Sequence, residues 1–238
     1  PKPLGTILRP LLLSTKKGDV VLDFFSGSST TAHAVMQLNA EDGGNRRFIM
    51  VQIPEPCDEK SEAYKAGYRN ICEIGKERIR RAGEKIKADS PLTTADLDVG
   101  FRVFKLADSN MKDVYYAADE LDQQTLADMV SNIKEDRTAL DLFFGCLLDW
   151  GLPLSMPYHS EKIDGCTVHT YNDGDLIACF DKNIPESVVK EIAKRKPLRA
   201  VFRDAGFADS PAKINVFEIF KLYMPEDADD ITKRVKVL

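Results

Sequence analysis

A single stretch near the amino terminus constrains the fold more than any other part of the sequence. Residues 20–24 read Val-Val-Leu-Asp-Phe, the β-branched and apolar composition of a buried parallel strand. A loop of small residues follows, with Ser28 or Ser29 available as the N-cap of a helix. Residues at helical spacing then follow at Thr31, Ala34, Val35 and Leu38. A strand, tight loop and helix in this order carry a nucleotide-like ligand over the carboxyl end of a parallel sheet, so the chain is predicted to be an α/β protein.

The loop between this strand and helix suits a ligand that carries both an ammonium and a carboxylate. Asp23 ends the strand, where its carboxylate can face an amine. Small residues let backbone N–H groups approach the ligand, and a helix N-terminus favours a carboxylate. The methionine part of S-adenosylmethionine meets both requirements, whereas Asp23 would repel a pyrophosphate. The sequence has neither a Gly-x-Gly-x-x-Gly dinucleotide pattern nor a Gly-Lys-Ser/Thr phosphate loop. A purely structural strand–helix corner is the alternative.

The spacing of the loop residues resembles a known cofactor motif. Asp23-x-Phe25-x-Gly27-x-Ser29-Thr30 is similar to the Asp-x-Phe-x-Gly-x-Gly-Thr motif of amino-methylating DNA methyltransferases. Longer segments resemble, more narrowly, the modification (Mod) subunit of type III restriction-modification systems, which methylates adenine in DNA. The segments that carry this narrower resemblance are 22–55, 79–83, 100–105 and 176–181.

The resemblance implies a site for S-adenosylmethionine built from the first 55 residues. In the family, a Lys-Pro segment before the strand lines the cofactor pocket, and a polar residue after the second strand lies near the ribose hydroxyls. Here these are Lys2-Pro3 and Gln52, and a solvated loop is the alternative for Gln52 and for Glu55. The predicted cofactor-binding residues are Lys2, Pro3, Asp23, Phe24, Phe25, Ser26, Gly27, Ser29, Thr30, Gln52 and Glu55.

Ser29 departs from the family motif, in which this position is normally glycine. A serine side chain there would crowd the cofactor or force an unfavourable backbone angle. The departure therefore predicts weakened cofactor binding even where the fold is intact.

No catalytic residue is predicted. An enzyme that methylates an exocyclic amine holds that nitrogen with polar acceptors and stacks the flipped base on an aromatic ring. The family does so with an Asp-Pro-Pro-Tyr-like tetrapeptide, and this sequence contains no Pro-Pro pair. In the family the tetrapeptide and the target-recognition region precede the Lys-Pro segment. The resemblance thus implies the carboxyl-terminal portion of a DNA adenine methyltransferase, carrying the cofactor half and inactive alone. The alternative is a non-catalytic scaffold or partner-binding module with a degenerate cofactor pocket.

Composition narrows the classes of partner. The 238 residues include 33 Lys and Arg against 38 Asp and Glu, so the chain lacks the basic footprint of a free-standing DNA binder, and DNA contact is expected through the parent protein. A helix predicted at 68–88 carries several basic residues, for which phosphate contact and a plain solvated face both stay open. Five cysteines without Cys-x-x-Cys spacing indicate reduced thiols and no metal site. A cytoplasmic location is expected, because neither a membrane-spanning run nor a signal peptide is found.

Two domains are predicted. Residues 1–106 form a partial, Rossmann-like sheet of an S-adenosylmethionine-dependent methyltransferase, and 107–238 form a smaller α/β domain without a convergent set of catalytic residue types. The second is interpreted as an interaction domain, and the resemblance points to the restriction (Res) subunit or to a Mod homodimer as its partner. Further predicted elements are strands at 48–51 and 101–106, helices at 120–134 and 137–149, a hairpin of 166–171 with 176–180, a helix after Pro185, a strand at 200–202, a helix from Ser210 and an edge strand at 233–238.

Overall fold

A computed structural model of the chain describes residues 2–112, 133–207 and 210–238. The chain divides into two compact units, Pro1–Val103 and Phe104–Leu238. Each unit mixes helices with strands, as the predicted α/β class requires. The first unit contains α1 (Leu4–Ser14), β1 (Val20–Asp23), α2 (Thr30–Asp42), β2 (Arg47–Met50), α3 (Glu62–Lys65) and α4 (Ile71–Asp89).

The first unit is built around the strand–loop–helix stretch. β1 and β2 are parallel neighbours, with Val20 opposite Arg47 and Asp23 opposite Met50. Because parallel neighbours need a crossover connection, α2 serves as the helix of a β–α–β unit. The strands predicted at 20–24 and 48–51 lie within one residue of the observed bounds.

Within the described part of the first unit, one face of this two-stranded sheet is covered and the other is exposed. Val21 is buried in a cluster with Leu11 of α1 and Leu38 of α2. The opposite face exposes four apolar side chains, each about half accessible to solvent: Val20, Leu22, Ile49 and Val51. The prediction of a buried strand is therefore right for one face and wrong for the other, since no described element of the first unit packs on that side.

A buried arginine closes the connection between α2 and β2. The side chain of Arg46 is 3% exposed and bonds both carboxylate oxygens of Asp42, at 2.9 and 3.1 Å. It also donates to Thr15 Oγ1 at 2.9 Å, and its backbone N–H donates to Asn39 Oδ1 at 3.0 Å. This one cation joins the chain after α1 and the end of α2 to the start of β2.

The strand predicted at 101–106 is wrong. Residues 101–107 have no regular structure, and no strand among the described residues pairs with them. Their apolar side chains differ in environment. Phe101 packs against a hydrophobic core of the first unit and lies under the Arg80 guanidinium, 5.6 Å from the ring centroid, whereas Leu106 is fully exposed. Most of the helix predicted at 120–134 falls outside the described residues.

The second unit contains one sheet and four α-helices among the residues that the structure describes. In chain order they are α5 (Ala139–Asp149), β3 (Tyr158–Ile163), β4 (Cys166–Tyr171), β5 (Leu176–Cys179), α6 (Glu186–Lys194), β6 (Ala200–Phe202), α7 (Ser210–Tyr223), α8 (Ile231–Arg234) and β7 (Val235–Val237). The strand order is β3-β4-β5-β6-β7. The first three strands are antiparallel, and β5, β6 and β7 are parallel.

Most predictions for the second unit are confirmed. The hairpin of β4 and β5 pairs Tyr171 with Leu176, and Asn172, Asp173 and Gly174 all adopt the positive φ angles that suit such residues in a tight turn. β7 lies at the sheet edge as expected. β3 was not predicted, because its sequence is polar and mostly exposed.

Side chains that alternate along the central strands feed two hydrophobic cores. One face packs Val168, Ile177 and Phe202 with α6 and α7. The other packs Tyr171 and Val201 with α5. The sheet of the second unit is therefore covered by helices on both faces, in contrast to the sheet of the first.

His169 is a titratable side chain inside this second core. It is 4% exposed, and its ring centroid lies 5.5 Å from that of Phe143 and 6.4 Å from that of Phe180. Nδ1 shares a 2.7 Å hydrogen bond with Ser160 Oγ, and Nε2 has no partner among the described residues. Burial lowers the pKa of His169, and the negative charge of Asp181 acts more weakly in the opposite direction.

Replacing His169 with glutamine is expected to reduce the loss of stability on acidification. The unfolded histidine binds a proton near pH 6.5, whereas the buried ring resists it, so stability is full above about pH 6.5 and falls from there toward the lowered pKa. Urea unfolding at about pH 7.5 and at about pH 5.5 measures the difference in the free energy of unfolding. His159→Gln, at an exposed position of β3, is the control and should follow the unmodified chain. Equal acid sensitivity in His169→Gln and the unmodified chain would contradict this assignment.

Candidate functional site

Asp23 lies at the carboxyl end of β1, where the sequence places an acid facing a ligand. Its Oδ1 accepts from the backbone N–H of Phe25 at 3.2 Å, and its Oδ2 accepts from Thr31 Oγ1 at 2.6 Å. These bonds fix the carboxylate between the loop and the first turn of α2. Each carboxylate oxygen has a second lone pair, so Asp23 can still accept from a ligand.

The two residues that follow β2, Val51 and Gln52, hold the loop after β1 by hydrogen bonds. The Gly27 N–H donates to Gln52 Oε1 at 2.7 Å, and Gln52 Nε2 donates to its neighbour, the Ile53 carbonyl, at 3.1 Å. The Ser26 N–H donates to the Val51 carbonyl at 3.2 Å. Gln52 thus supports the loop, a role that its place in the sequence does not reveal. Its Oε1 keeps one lone pair for a further donor.

Ser29 takes the N-cap position of α2, as predicted, but its hydroxyl makes no capping hydrogen bond. Its φ of +58° lies in the left-handed region that favours glycine. Glycine at this position of the family motif would therefore be less strained. The side chain is 5% exposed, so it lies almost wholly inside the protein.

Four backbone N–H groups at the start of α2 have no acceptor among the described residues. They belong to Ser28, Thr30, Thr31 and Ala32, whereas the Ser29 N–H donates to the Ser26 carbonyl at 2.8 Å. Free N–H groups at a helix N-terminus attract an anion, and the helix dipole adds to that attraction. Around Gly27, which has a φ of +53°, a Cβ would meet nothing within 4 Å. The loop therefore offers open space beside N–H donors that have no acceptor among the described residues.

Helix α4 contacts the loop at two points and the Gln52 carbonyl at a third. Arg78 Nη1 donates to Ser28 Oγ at 3.3 Å, and Cys72 Sγ contacts the Gln52 carbonyl at 3.5 Å. Gly75 lies against Ser29, since a Cβ built on it would meet Ser29 Oγ at 2.6 Å. None of these three α4 residues was predicted. The signal for Gly75 was an isolated glycine inside a helical pattern, which usually has a packing reason.

The other predicted residues are placed less closely together. Phe24 and Phe25 are 62% and 77% exposed, with ring centroids 5.3 Å apart, so both present apolar surface to a ligand. Lys2, Pro3 and Glu55 are exposed, and no hydrogen bond or ion pair between described residues joins them to the loop. Ser26, within the loop, and Thr30, the first residue of α2, are buried.

Positive charge collects where α4 faces α2. Burial, followed by the positive charges of Arg78 and Lys85, lowers the pKa of His33. Arg81 and Arg80 instead pair with Glu77 on their own helix, at 2.7 and 3.7 Å. Among the described residues Arg78 has no carboxylate partner, so it is the cation that α4 presents beside the loop.

The described cysteine and metal-ligand residues outside this loop do not cluster into a second site. The five cysteines are unpaired, and burial raises the pKa of Cys146 and Cys179 to about 12, so both thiols stay neutral at physiological pH. The described part of the chain has no group of three or more His, Cys, Asp or Glu side chains placed to hold a metal ion. In the same part of the chain, no helix combines the length and apolar character needed to cross a membrane.

Comparison with known proteins finds a family match that includes the loop. Residues 1–84 match the family described as DNA methylase. The chain is 49% identical over 107 residues to the StyLTI Mod subunit of Salmonella typhimurium, a type III restriction-modification enzyme; the match covers 45% of the chain and 16% of the relative.

Two further Mod subunits of type III restriction-modification enzymes match more of the chain. The EcoPI Mod subunit of Escherichia phage P1 is 37% identical over 174 residues, 72% of the chain and 26% of the relative. The EcoP15I Mod subunit of Escherichia coli is 33% identical over 214 residues, 86% of the chain and 30% of the relative. The chain thus spans less than a third of the length of each relative. The methylase match contains the loop and the Mod similarity runs through both units, so the chain is similar to DNA methylases and, over most of its length, to type III Mod subunits.

Proposed function

We propose that the chain is the cofactor-binding part of a site-specific DNA adenine methyltransferase of a type III restriction-modification system. The observation that carries the proposal is the position of Asp23, fixed by two hydrogen bonds at the carboxyl end of a parallel strand beside a helix N-terminus. An anion and unused N–H donors side by side suit a ligand with both an ammonium and a carboxylate. The amino-acid end of S-adenosylmethionine is such a ligand.

The proposal assigns a role to each residue at this site. Asp23 binds the ammonium, and the N–H groups of Ser28 and Thr30 bind the carboxylate. Phe25 supplies apolar contact, and Gln52 Oε1 accepts from a ribose hydroxyl while it holds Gly27. The bound cofactor supplies an electrophilic methyl group on its sulfonium. The residues of this chain bind and orient the cofactor and take no part in activating the adenine amine.

The exposed face of the β1–β2 sheet supports the proposal of a partial methyltransferase domain. Four apolar side chains stand on that face: Val20, Leu22, Ile49 and Val51. Their exposure is unusual for a parallel sheet, which is normally covered on both sides. We propose that residues 1–106 are one part of a larger Rossmann-like sheet, and that the adenine clamp and the target-recognition region belong to the rest.

The experiment is a calorimetric titration of the chain with S-adenosylmethionine, together with a methyl-transfer assay on mixed DNA with radiolabelled cofactor. We expect saturable but weak binding, with a dissociation constant of about 1 mM and worth about 4 kcal/mol. The Phe24 and Phe25 side chains of the loop are exposed in the described part of the chain, so a bound ligand would stay partly open to solvent. Methyl transfer should stay at background, since the sequence has no Pro-Pro-aromatic clamp. Absence of binding would favour the alternative, a scaffold with a degenerate pocket, and transfer above background would refute the division of labour.

For the second unit we propose a role in assembly. It has a sheet covered on both faces and, among the described residues, no group of three or more His, Cys, Asp or Glu side chains that could hold a metal ion. Residues 107–238 would then contact the restriction subunit or a second Mod copy, while DNA is bound through the parent protein. Co-purification of the restriction subunit with the parent, with and without residues 115–238, tests this assignment.

A further inference from the structure

Gly75 occupies an unusual place for a glycine. It is buried in the interior of the 19-residue helix α4, where glycine is disfavoured relative to alanine. The cost implies a packing requirement that alanine does not meet. The nearest atoms belong to the loop: a Cβ at residue 75 would lie 2.6 Å from Ser29 Oγ and 3.5 Å from the Gly27 carbonyl oxygen.

The contact involves the one residue of the loop that departs from the family motif. Ser29 has a left-handed backbone, which fixes the direction of its Cα–Cβ bond, and its side chain is 5% exposed. Its hydroxyl is directed at α4 and fills the space above Gly75. A serine is thus accommodated in a glycine position because the opposing helix has no side chain at the point of contact.

We propose that Gly75 is a positioning residue for the cofactor loop, and that its missing side chain compensates for Ser29. The inference rests on the proposed function of that loop. With a methyl group at residue 75, the Ser29 hydroxyl has to leave α4, either by rotating toward the open side of the loop or by carrying residues 27–30 with it. Both movements disturb the N–H groups of Ser28 and Thr30, which are the proposed carboxylate donors.

The geometry predicts that Gly75→Ala is harmful only when Ser29 is present. Removing the hydroxyl by Ser29→Ala leaves a Cβ 3.6 Å from the new methyl group, an ordinary contact distance. The double variant should therefore recover the loop of the Ser29→Ala single variant. Ser29→Ala keeps the strained backbone angle, so recovery would assign the effect to the hydroxyl and not to φ.

Gly83 provides a matched control on the same helix. It is also buried, and a Cβ there would be crowded to a similar degree, 2.8 Å from Val99 Cβ, but far along α4 from the loop contact. Gly83→Ala has the same change in helix propensity as Gly75→Ala. It should leave the loop unchanged.

The test measures amide hydrogen exchange of residues 26–31 without cofactor, and calorimetric affinity for S-adenosylmethionine. We expect Gly75→Ala to speed exchange in the loop at least tenfold and to weaken binding at least tenfold, with the Ser29→Ala/Gly75→Ala protein matching Ser29→Ala and Gly83→Ala matching the unmodified chain. Unchanged loop exchange in Gly75→Ala, or an equal effect with and without the hydroxyl, overturns the inference. If no protein of the series binds the cofactor, the proposed function fails, and the exchange data still decide whether residue 75 positions the loop.

Discussion

Asp23→Ala is expected to abolish detectable binding of S-adenosylmethionine. A hydrogen bond to a charged partner contributes about 1.5–3 kcal/mol, which corresponds to a loss of about 10- to 150-fold in affinity. If the unmodified chain binds with a dissociation constant of about 1 mM, this loss of affinity leaves no measurable heat of binding. The substitution also removes the acceptor of Thr31 Oγ1 and of the Phe25 N–H, so the loop itself is expected to loosen. Calorimetry on the unmodified and variant chains measures the difference.

Asp23→Asn separates the charge from the support of the loop. The amide oxygen still accepts one of the two bonds, from Thr31 or from Phe25, but the negative charge is lost. If the carboxylate binds the ligand ammonium, Asp23→Asn should fail to bind while its loop stays protected from exchange. Normal binding by either variant would show that the loop is not a cofactor site. It would favour the alternative that this stretch is a purely structural connection between a strand and a helix.

Asp42→Ala is expected to destabilise the first unit by about 3–5 kcal/mol, because it leaves a buried guanidinium without its counter-charge. The Arg46 side chain is 3% exposed, and its two bonds to Asp42 are the only carboxylate contacts that it makes in the described chain. The remaining bonds to Thr15 and Asn39 satisfy some donors but carry no negative charge. Urea unfolding followed by a signal specific to the first unit measures the loss.

Arg81→Ala is the matched control for that experiment. Arg81 and Glu77 form a pair of the same sequence separation and similar length, 2.7 Å, but both lie within α4 and the Arg81 side chain is 71% exposed. Solvent screens such a pair, so its loss should change stability little. An effect of Asp42→Ala as small as that of Arg81→Ala would show that burial does not strengthen the Arg46 contact.

Elements with a strong local pattern could be predicted from the sequence. The strand–loop–helix from Val20 and the hairpin around Asn172 each combine apolar periodicity with small or turn-forming residues, and both lie where expected. β3 carries no such pattern, because a polar edge strand is specified by pairing with its neighbour. The apolar run at 101–106 misled in the opposite sense, since a strand also requires a partner for its backbone.

The candidate site likewise contains residues that could be predicted from the sequence and contacts that could not. Asp23, Gly27 and Ser29 could be placed from spacing, because they belong to one continuous motif. The bond from Thr31 to Asp23 and the contact of Ser29 with Gly75 depend on how α2 and α4 pack. Such contacts join residues 8 and 46 positions apart in the sequence, and no local pattern encodes them.

The half-covered sheet of the first unit also limits how unfolding of this chain can be described. Its two strands bury one face, whereas the five-stranded sheet of the second unit buries both. Small sheets with one solvated apolar face are marginally stable, so the two units are expected to melt at different temperatures. A calorimetric scan would then contain two overlapping transitions, and no single melting temperature would characterise the chain.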